Sequence, residues 1–305
     1  MNLLRKVCLF GVIALVFMSC SDKNEVINPG LPQGKTPIRL SSSVNLLRSD
    51  SQNTQIVSGQ KVGFFLNTTG KLVYNINNEA LTADGEGGFT HSSMYYPTEG
   101  ETFEFSAYHP YSETGLSGGF INFSINADQS VKTDYLNSDL IYSNKEDIER
   151  TQDAVPLTFV HKLSRVTFVI KKGDGVDIGD LNKIEILNVL PSVKMNIIDG
   201  ELSNVSGDPA TVNAFGVTGS AEEGVLTLSG SAAIIVPQIV DEGSKLLRIT
   251  IGETIYTYTT VEDIEFEGGN SYEFQIEISS QSVLLSSTIS NWGNGGSISG
   301  DGVIE

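Results

Sequence analysis

The sequence predicts an all-β protein built from β-sandwiches. Its 305 residues are enough for two ordinary domains. Short segments of alternating apolar and polar residues recur along the chain, and turns rich in Gly, Pro, Asn and Asp separate them. This pattern is typical of sandwich strands. Long runs of helix-forming residues are scarce, and strands do not alternate with helices, which disfavours a parallel sheet covered by helices.

The first strand is predicted within Thr36–Asp50. Every second residue of a strand faces the same side, and four of the five residues at such positions are apolar. These five are Ile38, Leu40, Ser42, Val44 and Leu46. Arg48 follows at once, and the polar residues 49–53 are typical of a loop. We therefore expect an extended strand with one buried face that ends in an exposed basic site.

Further strands are predicted at regular intervals, with one short helical segment at Lys145–Arg150. In the first half they are Lys61–Asn67, Lys71–Ile76, Glu79–Thr82, Ser93–Tyr96, Thr102–Tyr108, Phe120–Ile125 and Asp139–Ser143. In the second half they lie within Val155–Lys171, Lys183–Val189, Val193–Ile198, Val225–Leu228, Ala232–Pro237, Leu246–Ile251, Thr254–Thr260, Tyr272–Ile278 and Val283–Ile289. We place an N-terminal sandwich at residues 36–158 and a C-terminal sandwich, with a terminal strand and Gly-rich tail, at 159–305.

The N-terminus is predicted to be a targeting segment. Arg5 and Lys6 precede the apolar run Val7–Met18, which is too short to span a bilayer. Ser19 and Cys20 close this run, so residues 1–20 resemble a bacterial lipoprotein signal in which Cys20 carries the lipid. An ordinary secretory peptide is the alternative. Residues 21–35 are rich in Pro and Gly and are predicted to be a linker.

Composition and charge exclude several classes of function. The net charge is −18, with 37 acidic and 19 basic residues. Because phosphate-binding surfaces need Lys and Arg, no nucleic-acid partner is expected. The second cysteine, Cys8, also lies in the signal, so the mature chain is predicted to contain no disulfide.

No arrangement of residues points to an enzyme, a cofactor or a metal. The three histidines, His91, His109 and His161, lie near no Gly-x-Ser-x-Gly motif and lack zinc-ligand spacing. We interpret His109 and His161 as structural. The acidic loop Asp84–Gly88 is interpreted as a turn, with a calcium site as the alternative. A carboxylate pair for glycoside hydrolysis stays open, because such residues can be distant in sequence.

A dense group of aromatic residues has two possible interpretations. Its members are Tyr95, Tyr96, Phe103, Phe105, Tyr108 and Tyr111. They could form a surface that stacks against a sugar or a partner, or they could form the core of a sandwich. We favour the core, because Phe103 and Phe105 share one face of a strand, and we expect Tyr111 to be the exception.

Several segments together resemble the fimbrillin family of type V pilins and their accessory lipoproteins. Besides the signal, they are GQKVGFFLN, YYPTEGETFEFSAYHPYSE, DLIYS, VPLTFVHKLSRVTFVI, IIVPQ and ISNWG. The resemblance implies two transthyretin-like β-sandwich domains in tandem and export to the outer membrane as a lipoprotein. It also implies cleavage by an Arg-specific protease in the loop after the first strand, which corresponds to Arg48. The removable strand would then carry Ile38, Leu40, Val44 and Leu46.

The resemblance further implies assembly by donor-strand exchange with other fimbrial subunits. The strand leaves a groove, which a strand from a neighbouring subunit fills. The candidate donor strand contains Val283, Leu285 and Ile289, and the tail Ser297–Ile304 is a weaker candidate. The leading interpretation is therefore a structural subunit of a cell-surface fimbria. The alternatives are a non-polymerising tip or anchor subunit, or a surface lipoprotein adhesin that binds a glycan or a host protein.

Overall fold

Strands make up nearly all regular structure in the computed structural model, which describes residues 35–44, 55–70, 74–175, 178, 181–217, 220–222, 225–280 and 283–292. The prediction of an all-β fold is confirmed. The strands are β1 (Arg39–Val44), β2 (Lys61–Thr68), β3 (Tyr74–Ala83), β4 (Phe89–Thr90), β5 (Thr102–His109), β6 (Leu116–Ser117), β7 (Phe120–Ser124), β8 (Ile141–Glu149), β9 (Ala154–His161), β10 (Ser164–Lys172), β11 (Leu181–Val189), β12 (Ser192–Asn196), β13 (Leu202–Ser206), β14 (Ala210–Asn213), β15 (Ser220–Glu222), β16 (Val225–Ile235), β17 (Gln238–Val240), β18 (Lys245–Ile251), β19 (Thr254–Thr259), β20 (Ile264–Phe266), β21 (Asn270–Ile278) and β22 (Val283–Asn291).

One seven-stranded sheet contains most of the first half of the chain. Its order is β1-β9-β8-β5-β2-β3-β4, and β1 runs parallel to β9. The alternating apolar residues of its strands meet in a cluster that we call the N-terminal core. This core consists of buried residues between Ile38 and Phe159, among them Phe64 and Phe105. The period-two pattern of the sequence therefore places one face of this sheet in the core.

The second half of the chain forms two larger sheets and one small one. Their orders are β15-β16-β10-β21-β22, β14-β11-β18-β19 and β17-β20. Here β10 runs parallel to β21, and β22 is the outermost strand of its sheet. The buried residues form a C-terminal core that draws mainly on residues 121–292 and also includes Phe65 and Tyr108.

A fifth sheet connects the two halves of the chain. Its order is β13-β12-β7-β6, so β7 from the first half pairs with β12 from the second half. The buried hydroxyl of Tyr142, on β8, lies 2.9 Å from the carbonyl oxygen of Ile197 and 2.8 Å from that of Ile198. Tyr142 therefore joins the seven-stranded sheet to the chain that follows β12. Across the described ranges, no helix has the length and apolar character needed to cross a membrane.

The prediction of a short helix at Lys145–Arg150 is wrong. Residues up to Glu149 belong to β8, where Lys145 pairs with Phe105 and Ile148 with Phe103. Ile148 is buried in the N-terminal core. Pairing with the long strand β5 therefore outweighs the helical propensity of one polar segment, which is too short to be stable alone. The helix that does form among the described residues is α1 (Lys132–Asn137).

Removal of the Tyr142 hydroxyl should destabilise the fold. Tyr142→Phe leaves buried carbonyl groups without their donor, and we expect a loss of about 1–3 kcal/mol in the free energy of unfolding, measured with a chemical denaturant. The control is Tyr256→Phe, on the edge strand β19, where we expect a change within about 0.5 kcal/mol. Equal stabilities of the two variants would contradict the proposed role of Tyr142.

Candidate functional site

The strand β1 lies between two backbone edges. On one side it pairs in parallel with β9, from Arg39 opposite Ala154 to Val44 opposite Phe159. On the other side lie residues 87–96, which we call the rim segment. The Ile38 amide donates to the carbonyl oxygen of Met94 (3.0 Å), and the Ser42 amide donates to that of Gly87 (2.7 Å). Main-chain hydrogen bonds therefore hold β1 along both of its edges.

The apolar residues of β1 and its flank lie in the N-terminal core. Ile38, Leu40 and Val44 have exposed fractions of 2%, 7% and 8%. Arg39 and Ser43 point outward and are exposed. Burial of the three apolar side chains stabilises the site by roughly 4–9 kcal/mol before entropic costs are subtracted. Leu46 and Arg48 lie outside the described residues, as does Cys20.

The acidic loop Asp84–Gly88 shapes one end of the rim segment. The Asp84 carboxylate accepts hydrogen bonds from the backbone amides of Glu86 (2.7 Å) and Gly88 (2.9 Å). These bonds hold the pKa of Asp84 below its usual value. They fix the turn that directs the Gly87 carbonyl at β1. Within the described ranges, no group of three or more His, Cys, Asp or Glu residues is placed to hold a metal ion.

Arg150 holds Pro97, the residue that directly follows the rim segment. Its Nη2 atom donates to the carbonyl oxygen of Pro97 at 2.7 Å, and its guanidinium lies 5.5 Å from the ring centroid of Phe103. Neither Asp84 nor Arg150 uses β1 as a partner in these contacts. The rim segment is therefore anchored at both ends by contacts that do not depend on β1.

His109 and His161, which we predicted to be structural, both make contacts that suit a structural role. His109 is buried, its Nδ1 lies 2.9 Å from the carbonyl oxygen of Lys61, and burial lowers its pKa. The Nδ1 of His161 lies 2.8 Å from Asp139 Oδ1. The His161 ring also stacks on Trp292, with a centroid distance of 3.8 Å and an interplanar angle of 4°. Sequence reasoning missed this stack, because no local pattern indicates that residues 161 and 292 meet.

The aromatic group lies mainly in the core, as predicted. Tyr96, Phe103, Phe105 and Tyr108 are buried, whereas Tyr111 is only half-buried. Tyr95 is half-buried as well. Tyr96 packs against Phe103 with ring centroids 5.1 Å apart. These contacts support β5 and the rim segment, and they leave four of the six rings inaccessible to a ligand.

The candidate donor residues lie on β22, at the edge of the five-stranded sheet. β22 pairs with β21 along its whole length, from Ile278 opposite Val283 to Asn270 opposite Asn291. Val283 and Leu285 have exposed fractions of 0% and 3%, and Ile289 packs against the C-terminal core. In the isolated chain this strand therefore completes its own sheet. The tail Ser297–Ile304 lies outside the described residues.

Comparisons with known proteins find similar sequences and folds in Bacteroides species. A Bacteroides uniformis protein described as a fimbrium subunit is 26% identical over 311 residues, which cover 95% of this chain and 97% of the relative. A solved structure of a cell adhesion protein from the same species has a TM-score of 0.65 at 19% identity and covers 86% of this chain and 100% of its own. A solved cell adhesion protein from Bacteroides ovatus has a TM-score of 0.67 at 17% identity, with coverages of 85% and 99%.

The decisive match is to a family model. The model described as fimbrillin-like matches residues 48–292, which is most of the chain. The two solved structures are less than 25% identical to this chain, so they support the fold, whereas the family model supports common descent. The chain therefore belongs to the fimbrillin-like family.

Proposed function

We propose that this protein is a structural subunit of a cell-surface fimbria that matures by losing its first strand. The precursor is exported to the outer membrane as a lipoprotein anchored through Cys20. An Arg-specific protease cuts after Arg48, the strand that carries Ile38, Leu40, Val44 and Leu46 leaves, and a strand of a neighbouring subunit replaces it. The protein acts by assembly and not as an enzyme.

The observation that carries this proposal is the position of β1 between two anchored edges. If β1 leaves, β9 and the rim segment both lose main-chain hydrogen-bond partners, and the N-terminal core loses three apolar side chains. Buried unpaired backbone groups are costly. Because contacts elsewhere hold the rim segment in place, the vacated site keeps the shape of a strand. Such a site binds an extended strand strongly.

Membership of the fimbrillin-like family supports the same proposal. The Bacteroides uniformis relative is described as a fimbrium subunit, and the two solved structures are described as cell adhesion proteins. We take these descriptions to indicate that the chain works at the cell surface and that its partners are other fimbrial subunits.

We also propose that the chain forms two transthyretin-like sandwiches in tandem, at residues 36–158 and 159–305. Two features support this division. The N-terminal core draws on residues from Ile38 to Phe159, so it ends at the proposed boundary, although the C-terminal core also includes Phe65 and Tyr108. The first strand of each half also runs parallel to a later strand. β1 pairs with β9, which crosses the boundary, and β10 pairs with β21.

A second candidate function is a terminal subunit, at the tip or the anchor, that accepts a strand and donates none. Its support is the burial of Val283 and Leu285 in the chain's own C-terminal core. Adhesion to a glycan or a host protein would belong to such a terminal subunit. The buried aromatic residues are not available for it, so other surface residues would have to bind the ligand.

Cleavage at Arg48 should start assembly. We expect limiting trypsin to cut the precursor first after Arg48 and the product to form oligomers whose size increases with protein concentration, measured by light scattering. Arg48→Ala is the control, and it should resist this cut and stay monomeric. Oligomers of equal size from the uncut Arg48→Ala variant would contradict the proposed maturation.

Loss of the Asp84 carboxylate should loosen β1. In Asp84→Ala the turn that directs the Gly87 carbonyl at Ser42 loses its two hydrogen bonds, so the cut N-terminal segment should dissociate faster than in wild type. Dissociation can be followed by size-exclusion chromatography and mass spectrometry. Glu86→Ala, in the same exposed loop, is the control and should behave like wild type.

This effect of Asp84 should depend on pH. Because the folded protein holds the pKa of Asp84 below its usual value, the charged carboxylate stabilises the loop. This stabilisation is complete above the usual carboxyl pKa and is lost as the pH falls through the lowered value. The difference between wild type and Asp84→Ala should therefore be full at neutral pH and vanish in acid. A difference that persists in strong acid would exclude the charge as its cause.

A further inference from the structure

We propose that β19 is a self-association surface, through which two copies of this chain pair edge to edge across a two-fold axis at Thr257. This inference goes beyond the proposed function, since the pairing needs neither a cut at Arg48 nor the exchange of a strand. It comes from the open edge of the four-stranded sheet β14-β11-β18-β19.

β19 lacks the features by which proteins usually protect an edge strand. Protected edge strands are very short, or carry a charge, a proline or a bulge. β19 has the sequence TIYTYT, with no charge and no proline, and all of its residues have high β-propensity. The irregularity in its pairing lies between Lys245 and Leu247 of β18, and the rest of the ladder is regular. An uncharged strand of this kind favours pairing with another strand.

Most other edges among the described strands are short, irregular or covered. β4 and β6 have two residues each, and β15 has three and ends in Glu222. β13 contains Asn204 with a φ of +53°, and its pairing with β12 is irregular. The edge of β14 is covered by residues 127–129, whose backbone exchanges two hydrogen bonds with Asn213. β22 is the other long edge, and it lies near β19 without pairing with it.

The register of the β18–β19 hairpin shows which backbone groups of β19 face the open edge. The hairpin closes with Ile251 opposite Thr254 across a two-residue turn, so this pair is hydrogen-bonded. Hydrogen-bonded and non-bonded pairs alternate along an antiparallel ladder. Ile255, Thr257 and Thr259 therefore direct their amides and carbonyls away from β18. Among the described residues, none is placed to bond these groups.

A second copy of the chain satisfies all of these groups at once. A two-fold axis at Thr257 places the two Thr257 residues opposite each other and places Ile255 of each copy opposite Thr259 of the other. These are three hydrogen-bonded pairs with two bonds each, or about six main-chain hydrogen bonds. Paired residues in this register have the same face in both copies, so the two sheets join into one continuous sheet.

The side chains on both faces suit this pairing. On the outer face, Ile255 is 62% exposed in the single chain and would lie beside Thr259 of the second copy. On the inner face, Tyr256 would lie opposite Tyr258 of the second copy. Cross-strand pairs of β-branched and aromatic residues stabilise a sheet. No ionised side chain lies within the paired segment, which limits repulsion between two chains of net charge −18.

The interface is small, so isolated chains associate weakly. Pairing over residues 255–259 buries less than the roughly 1,200–2,000 Å² of total surface that is typical of stable complexes. Single chains at micromolar concentration therefore stay monomeric. In a fimbria, a step that rests on the proposed function, every subunit presents β19, and many weak contacts act together. The surface then joins fimbriae side by side.

Disulfide cross-linking of the uncut chain tests the two-fold axis. Arg48→Ala keeps the chain uncut, and chains that begin at Ser21 contain no natural cysteine. Thr257→Cys places two cysteines opposite each other at the axis. Ile255→Cys is the matched control on the same face. Its two cysteines would lie four residues apart along the strands, about 13 Å, which is beyond the reach of a disulfide.

We expect Thr257→Cys to give about tenfold or more disulfide-linked dimer than Ile255→Cys under mild oxidation, measured by non-reducing gel electrophoresis. A mixture of Ile255→Cys and Thr259→Cys chains should give a linked heterodimer, identified by mass spectrometry of the linked peptides. Equal yields from Thr257→Cys and Ile255→Cys would indicate random collision and overturn the inference. A larger heterodimer yield from Ile255→Cys mixed with Thr257→Cys would overturn the proposed register.

Edge variants test the consequence for fimbriae. Thr257→Pro removes an amide that faces the open edge, so it breaks no hydrogen bond of the chain's own sheet. Thr257→Lys places like charges opposite each other at the axis. Electron microscopy should show wild-type fimbriae side by side, and both variants should give single fimbriae of unchanged length. Thr257→Val keeps the amide and should behave like wild type. Side-by-side association of both the Pro and the Lys variant would overturn the role of β19.

The outcomes separate this inference from the proposed function. If the cut chain forms oligomers but Thr257→Cys cross-links no better than Ile255→Cys, the inference fails and the proposed function stands. If Thr257→Cys cross-links as expected but the cut chain forms no oligomers, the β19 surface stands and the proposed function fails.

Discussion

The N-terminal half of this molecule depends on one requirement, that a strand must lie between β9 and the rim segment. Backbone amides and carbonyls on both edges need partners there, and the N-terminal core needs the side chains at the positions of Ile38, Leu40 and Val44. Neither requirement specifies which chain supplies the strand. In the function that we propose, the precursor folds with its own β1, and the mature form uses the same site for a strand of a partner.

Contacts that do not involve β1 support the rim segment. Asp84 fixes the turn at one end of the rim segment, and Arg150 holds Pro97, directly after the other end, and packs on Phe103. β9 pairs with β8 at Val160 and His161, directly after the residues that face β1. A binding site that keeps its shape when empty loses less conformational entropy on binding, and its occupant gains more affinity from each buried side chain.

Local sequence patterns predicted most strands, because a strand leaves a pattern in neighbouring residues. They missed contacts between residues that are distant in the sequence. Alternation identified the segment that forms β1 and most other strands, because a half-buried strand repeats every two residues. It failed at Lys145–Arg150, where pairing with β5 decides the structure. It also gave no sign of the stack between His161 and Trp292 or of Gln129, whose side-chain amide bonds the backbone of Ile234. Contacts between residues more than 100 positions apart leave no periodic signal.

The central claim is that β1 can leave and that another strand takes its place. Hydrogen exchange of the β9 backbone, followed by mass spectrometry in the uncut chain, in the cut chain freed of its N-terminal segment, and in the oligomer, tests it most directly. The amides of residues 154–159 that point to β1 should be protected in the uncut chain, exchange rapidly once the segment is removed, and become protected again in the oligomer. Pro156 has no amide proton and does not report. Protection that stays the same in all three states would contradict the claim.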